Sequence, residues 1–438
     1  MRNYMLNAAM LLTFLFASCT ESAILVEPTA EHSKKCDNRS LEEIVQIAQN
    51  APMTFEGKGK TRNGLTLKKE LDLSSITGIT NQGKTRTSGE IDTLLYAINY
   101  ADNDGYVIVS SKKGTPGVIA YVEEGEYDLA EMADKSSDIG YVTQLASEYV
   151  ATQSVIYEPI PFADTLTMFV GPLLETAWGQ HDPEGIYCPN GIAGCSNTAM
   201  AQIMAYYEYP ETLQLTYDDA DGIYQVLDWS EIKKHKIRHT IPGLSGQNFC
   251  IADTETHNAI GRLCRQLGEL NCSDYWRLND IPNPDGTSAD CPEMYETARM
   301  LGFTIRGANG KDWEEYNSDT CLLEALSDRH PIVMTGIRND SIGHMWVVDG
   351  YLKMTITEYL YAGIGQTGPT TYQEIYNHVN WGWDGRSNGY FLSNIFNVGN
   401  IYRPDPNVWG PTNTSNIYNE DLRYLEFYRD LNNILINW

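Results

Sequence analysis

No apolar run in the 438-residue sequence reaches the ~18–20 residues of a membrane-spanning helix, which excludes a multi-pass membrane protein. No Cys-x-x-Cys pair and no His-Glu-x-x-His occurs, so a zinc site has no support. Basic residues are scarce. Lys and Arg number 31 against 58 Asp and Glu, a net charge of −27. Phosphate backbones repel such a chain, which argues against DNA or RNA as a partner. The one basic run, Lys233 to His239 (KKHKIRH), is expected to be a solvated loop or helix face. Internal repeats and low-complexity tracts are also missing. What the sequence does hold is core-forming material. Apolar residues make up 42% and aromatics 11%, enough to exclude a wholly disordered chain. A chain of this length is expected to fold as about three domains or as a large two-part protein.

The first residues read as an export signal. Arg2 supplies a positive start, Ala8 to Ala17 is uncharged and apolar, and small Ala17 and Ser18 precede Cys19. This ending is similar to the lipobox of bacterial lipoproteins, with Phe16 where Leu is usual. Residues 1–18 are then a signal peptide, and Cys19 is the lipidated first residue of a polar tether over 19–39. The alternative is a plain signal peptide cut nearby. There are nine cysteines, and eight remain when Cys19 is set aside. In an exported chain they permit disulfides, although some can stand as buried thiols.

A unit over residues 40–165 is expected next. Ser40 and Glu43 have capping-box spacing, and the helix that follows carries Leu41, Ile44, Val45, Ile47 and Ala48. Leu94–Tyr100, Tyr106–Ser110 and Gly117–Val122 are separated by turn signals and read as an antiparallel meander. Residues 128–152 read as one or two helices. Tyr157–Asp164 (YEPIPFAD) reads as a linker. From 166 to 438 helices come first, at Ser196–Tyr207, Thr256–Leu270, Pro292–Leu301 and Leu322–Ser327. Strands follow at Ile332–Ile337, His344–Tyr351, Glu358–Ala362, Tyr376–Trp381 and Gly389–Leu392. Helices before strands indicate an α+β fold with the two halves packed together.

The chemistry centres on Cys195. It follows Gly191 and Gly194 at the start of a helix with an apolar stripe of Ala199, Met200, Ile203, Met204 and Tyr207. The positive end of the helix dipole favours thiolate, the nucleophilic form. A thiolate needs a base, and His344 stands at the entrance to an apolar strand. Asn380 follows, and its side-chain oxygen is expected to accept the Nδ1 proton of His344 and fix the ring. Trp381 and Trp383 point the same way in an extended segment, and one of them can shield that hydrogen bond. His378 is the competing base. Gln180, together with the Cys195 backbone N–H, is a candidate donor to a developing oxyanion.

The cysteine segment GCSNTAMAQIMAYYEYP, the histidine segment GHMWVVDGY and the segment HVNWGWDGRSNGYF resemble, in that order, those of the streptopain-like cysteine peptidases. Trp178-Gly179-Gln180 ahead of Tyr187-Cys188-Pro189 is similar to the stretch that carries that family's oxyanion glutamine. NDGYVIVSSKKGTPGVIAYVEEGEYD resembles its inhibitory prodomain. The resemblance implies a papain-like two-lobed catalytic domain, a helical lobe plus an antiparallel sheet lobe, over 166–438. A small α+β prodomain precedes it and blocks the cleft until it is cut off near residue 165. Cys195 is then nucleophile and His344 general base and acid. Asn380 or Trp381 supports the histidine, and Gln180 stabilises the oxyanion. The substrate is a protein or peptide, and no cofactor or metal is required. The membrane is involved only through a lipid on Cys19, and the enzyme is an outer-membrane or cell-surface lipoprotein or is secreted after processing. Several residues depart from the family pattern. Ser196-Asn197 replace Val-Ala, Asp384 replaces glycine, and Ile342 and Met345 replace small residues, with Met345 expected to narrow the cleft. YWRLNDIPNPDGTSADC stands where the family often has a Gly-rich loop. These departures motivate a rival reading, a catalytically silent surface lipoprotein that binds a partner through a degenerate cleft. A third reading is acyl transfer to an amine instead of water.

Overall fold

The computed structural model describes residues 38–56, 69–80, 93–128, 138–152, 163–217, 220–235, 252–277, 281–284, 286–289, 291–306, 314–315, 319–337, 343–358, 370–396 and 420–428. The signal peptide and Cys19 lie outside the described residues, as do nearly all of the tether and most of the expected linker.

Helix α1 (Leu41–Phe55) begins at the capping box. The Ser40 hydroxyl accepts the Glu43 amide at 3.2 Å, and the Glu43 carboxylate accepts the Ser40 amide at 2.7 Å. Both ends of the first turn are thereby satisfied without water. Its buried stripe, Ile44, Ala48, Ala51, Pro52 and Phe55, covers the meander. The meander is β2 (Thr93–Asn99), β3 (Tyr106–Ser110) and β4 (Val118–Val122), flanked by β1 (Thr77–Thr80). Helix α2 (Asp138–Thr152) packs on β2. The sequence boundaries of the meander hold to within a residue.

This part was expected to be a separate unit, but its sheet does not stop at β4. Val122, Tyr121 and Ala120 pair antiparallel with Gly389, Tyr390 and Phe391 of β15 (Gly389–Leu392). Beyond it run β14 (Thr370–Asn380), β13 (Gly343–Glu358), β12 (Ile332–Ile337), β16 (Glu420–Tyr428) and β10 (Thr304–Arg306). Pairing satisfies backbone groups that two free edges would leave to water. The seam is tight. A side chain at 389 would lie 2.3 Å from the Tyr121 carbonyl, so only glycine fits. Phe55 seals it from above, with ring centroids 5.1 Å from Tyr121, 5.0 Å from Tyr376 and 5.4 Å from Tyr390.

The end of the expected linker is a strand. Strand β5 (Ala163–Val170) pairs antiparallel with the outer half of β13, from Ala163 against Glu358 to Val170 against Tyr351. The two prolines upstream suggested a loop, but Thr165, Thr167 and Phe169 alternate with Leu166 and Met168, a strand pattern. Strand β16 also escaped the sequence reading. It lies between β12 and β10, where long-range pairing decides the structure.

The helical layer holds α3 (Cys195–Tyr207), α4 (Thr254–Leu270), α5 (Cys291–Met300) and α6 (Thr320–Ser327). Helix α3 is packed between α4 and β13. Every residue from Ser196 to Ala205 is buried. The basic run is less solvated than expected. Lys233 pairs with Glu208 and, at 3.5 Å, with Glu175, while His235 is buried against Glu184. Residues 236–239 lie outside the described residues.

Candidate active site

Cys195 is the first residue of α3 and half-buried, whereas Ser196 to Ala205 behind it are buried. Cys188 and Cys272 stand as free thiols. Gly194 turns the chain into the helix at φ 94°, a conformation that costs a side-chain-bearing residue about 1–2 kcal/mol. A side chain there would also sit 3.2 Å from Thr287. No side chain caps the helix. The partial positive charge of the first turn is thus aimed at the sulfur's end of the helix.

Thr198, one turn further on, links the helix to the segment that carries Gln180. Its hydroxyl donates to the Gly179 carbonyl at 2.9 Å. The Ala193 amide donates to the Gln180 carbonyl at 2.7 Å, so the approach to Cys195 is tied to the same stretch. The buried Glu184 carboxylate accepts the Gly179 amide at 3.1 Å and lies 3.2 Å from His235 Nε2. The Trp178 indole donates to the His235 carbonyl at 3.0 Å. The backbone before Gln180 is therefore rigid, while the Gln180 carboxamide is half-exposed and makes no hydrogen bond among the described residues. Thr198 and Glu184 were not singled out in the sequence, and His235 only as part of the basic run. Their partners lie up to 57 residues away, and no local pattern encodes that.

His344 is buried on β13, the strand that α3 packs against. Its Nε2 lies 3.0 Å from the backbone carbonyl of Trp381. A carbonyl only accepts, so Nε2 carries a proton and, in the neutral ring, Nδ1 is the acceptor. Aromatic rings enclose the imidazole. Trp383 lies 5.2 Å away, Trp346 6.1 Å and Trp381 6.3 Å, centroid to centroid. Trp381 and Trp383 stack at 5.0 Å and 8°. The two tryptophans do share one side, although through a turn: Gly382, Asp384 and Gly385 all have positive φ.

The expected hydrogen bond from His344 to the Asn380 side chain is not made. The Asn380 amide donates to the Thr176 carbonyl at 2.9 Å and to Gln202 Oε1 at 3.0 Å. Its oxygen accepts from Gln202 Nε2 at 3.3 Å and from the Gly382 amide at 3.2 Å. That set uses all its donors and both lone pairs. The Trp381 main-chain oxygen reaches His344 because β14 ends at Asn380 and the chain turns there, which side-chain alternation does not foretell.

His378 is also placed away from this constellation. Its Nδ1 donates to the Asp349 carboxylate, and Asp349 also accepts the Leu174 amide at 3.0 Å. Its Nε2 faces Glu123 of the N-terminal part at 3.9 Å. Met345 does not narrow the cleft from His344's side. Adjacent strand residues point to opposite faces, and Met345 is buried on the other one. Asp384 takes a left-handed φ of 59°, donates its amide to the Trp178 carbonyl at 3.2 Å and fills the space that Gly179 leaves. Among the described residues no group of three His, Cys, Asp or Glu is arranged to hold a metal ion, and no helix is long and apolar enough to cross a membrane.

Residues 175–391 match the Peptidase C10 family, and residues 57–140 match the Spi protease inhibitor family. The chain is similar to the thiol protease/hemagglutinin PrtT of Porphyromonas gingivalis, with 24% identity over 81% of this chain and 40% of that protein. It therefore spans well under half the length of that relative. It is also similar to streptopain of Streptococcus pyogenes serotype M1, with 23% identity over 72% of this chain and 77% of the relative. Among solved structures, a prointerpain A fragment of Prevotella intermedia aligns with a TM-score of 0.45 and 20% identity, covering 80% of this chain and 97% of that one.

Proposed function

We propose that in this chain, a cysteine peptidase that belongs to the Peptidase C10 family, Cys195 is the nucleophile and His344 its proton partner in an endopeptidase made as a zymogen. The observation that carries the assignment is the His344 mount. Nε2 is held by a main-chain carbonyl at 3.0 Å inside a tryptophan enclosure, which fixes the ring and puts the basic lone pair of the neutral imidazole on Nδ1. The thiolate attacks the scissile carbonyl. The His344 imidazolium then protonates the leaving amine, and neutral His344 draws the proton from water to release the acyl group. The Cys195 amide and the Gln180 carboxamide are the donors to the oxyanion. Gln180 suits that role because its backbone is pinned and its carboxamide is half-exposed and makes no hydrogen bond among the described residues.

The inhibitory prodomain covers residues 40–165 and the peptidase 166–438. Export uses residues 1–18, with Cys19 as lipid attachment site and 19–39 as tether. A lipid on Cys19 is checked by labelling with a fatty-acid analogue, which Cys19→Ala abolishes.

Cleavage near residue 165 falls in β5, whose backbone is paired to β13. A peptidase binds its substrate extended, so this strand must first peel away. Incubation of purified full-length protein gives the decisive test. Wild type shortens and is labelled by a peptidyl epoxide, and Cys195→Ala does neither. Equal labelling of the two proteins refutes the assignment.

A further inference from the structure

Gln202 sits seven residues after Cys195 on α3 and is buried. It is the meeting point of the three chain segments that form the site. Its Oε1 accepts the Thr176 hydroxyl at 3.0 Å, the Trp178 amide at 3.1 Å and the Asn380 amide at 3.0 Å. Its Nε2 donates back to Asn380 Oδ1 at 3.3 Å, so the two carboxamides form a reciprocal pair. A glutamine on the buried face of a helix is costly when its polar atoms are left unpaired. Here both Oε1 and Nε2 have partners, and none of those partners is a helix neighbour.

The next link is covalent. Asn380 Oδ1 accepts the Gly382 N–H. That N–H belongs to the same peptide plane as the Trp381 carbonyl, and in a trans peptide the two point in opposite directions. Fixing the N–H on Asn380 therefore aims the carbonyl, and the carbonyl holds His344 Nε2 at 3.0 Å. On its other side Gln202 holds the Trp178 amide, two residues before Gln180.

We infer that Gln202 is a positioning residue for the peptidase reaction: through Asn380 and the Trp381–Gly382 peptide it orients His344, and through Trp178 it sets the segment that carries Gln180, both relative to the helix that begins at Cys195. Gln202 touches neither substrate nor sulfur in this scheme. The inference rests on the assignment of Cys195 and His344 above.

The test compares active-site-titrated wild type with Gln202→Met, Gln202→Glu, Asn380→Ala and the Met/Ala double variant, on a short peptide substrate from pH 5 to 9. Met keeps the volume and removes all four hydrogen bonds. Its kcat is expected to fall about 10- to 100-fold, the size of effect that a misplacement near 1 Å produces. KM should stay within about threefold, and the limb of the pH profile that reports His344 should shift. Glu keeps the acceptor role toward Trp178 and Thr176, and its loss should be smaller than that of Met. The double variant should lose no more than the larger single loss within about threefold, because both substitutions break one chain of contacts. Per titrated site, a Met variant within threefold of wild type with an unmoved pH profile overturns the inference, as do additive losses in the double variant. If Met does not fold, the Glu variant is judged by the same two readouts. A wild type that fails to titrate at Cys195 overturns the underlying assignment instead. Titration together with an unaffected Gln202 variant leaves that assignment standing.

Discussion

Strands β2–β4 and strands β13–β15 are paired members of one sheet, yet their interiors are made of different material. In the meander the enclosed side chains include Leu95, Ile98, Val107, Ile108, Val109 and Tyr121. Nearby Lys69 is matched by Glu56 at 2.8 Å and lies over the rings of Tyr100 and Tyr121. On β13 and β14 the enclosed set includes His344, Asp349, His378 and Asn380, each with partners fixed in direction. Apolar burial is non-directional and tolerates small shifts, whereas a buried polar network is worth little unless every member is placed. One half of the sheet is built mainly to hold together, and the other to hold atoms at set positions.

The sharpest way to break this contrast is Cys195→Ala. Peptidase activity should fall by at least about 10³-fold while the melting temperature stays within a few degrees, because the residue is half-buried at a helix start. Parallel assays of activity and thermal unfolding check it. Next comes Phe55→Ala, at the seam. Emptying the space between Tyr121, Tyr376 and Tyr390 should cost about 3–5 kcal/mol, read by denaturant unfolding of the full-length protein. A loss below 1 kcal/mol would mean that the seam is not held from above. Gly389→Ala should cost about 1–3 kcal/mol by overpacking against the Tyr121 carbonyl. Hydrogen exchange should show faster exchange confined to Ala120–Val122 and Gly389–Phe391.

The smallest effect concerns two cysteines seven residues apart. Burial pushes the Cys188 thiol from 9.0 up to about 11, aided by no neighbouring charge strong enough to offset it. At pH 8 only about one molecule in 10³ then carries its thiolate, so iodoacetamide should modify Cys195 long before Cys188. The raised value also sets a sign for stability. The contribution of the neutral thiol is complete below pH 9, where the unfolded chain is protonated as well. It is lost as pH climbs through about 11. Urea midpoints of wild type and Cys188→Ala between pH 8 and 11 measure it.

Local chemistry made much of this fold legible. The Ser40–Glu43 spacing encodes its own helix start, and the meander is bounded by turn residues that act over four positions. Cys195 and His344 stood out because a glycine-led helix start and a glycine-led strand start are local features. What separates His344 from His378 is not local: Asp349 and Glu123 face the second ring from 29 and 255 residues away. Asn380 does not make the contact expected of it, because the turn at Gly382 presents a carbonyl where an extended chain would present a side chain. Strand β5 was hidden by the prolines before it, and Gln202 by its place among apolar neighbours on α3.

The shared seam has one further consequence. When the proposed cut near residue 165 releases the N-terminal part, β15 loses its neighbour, and the backbone groups of Gly389, Tyr390 and Phe391 that pair with β4 become a free edge. Under that proposal maturation creates a sticky border on the molecule it liberates. The shed fragment carries the matching border on β4, so the two products of one cut fit each other.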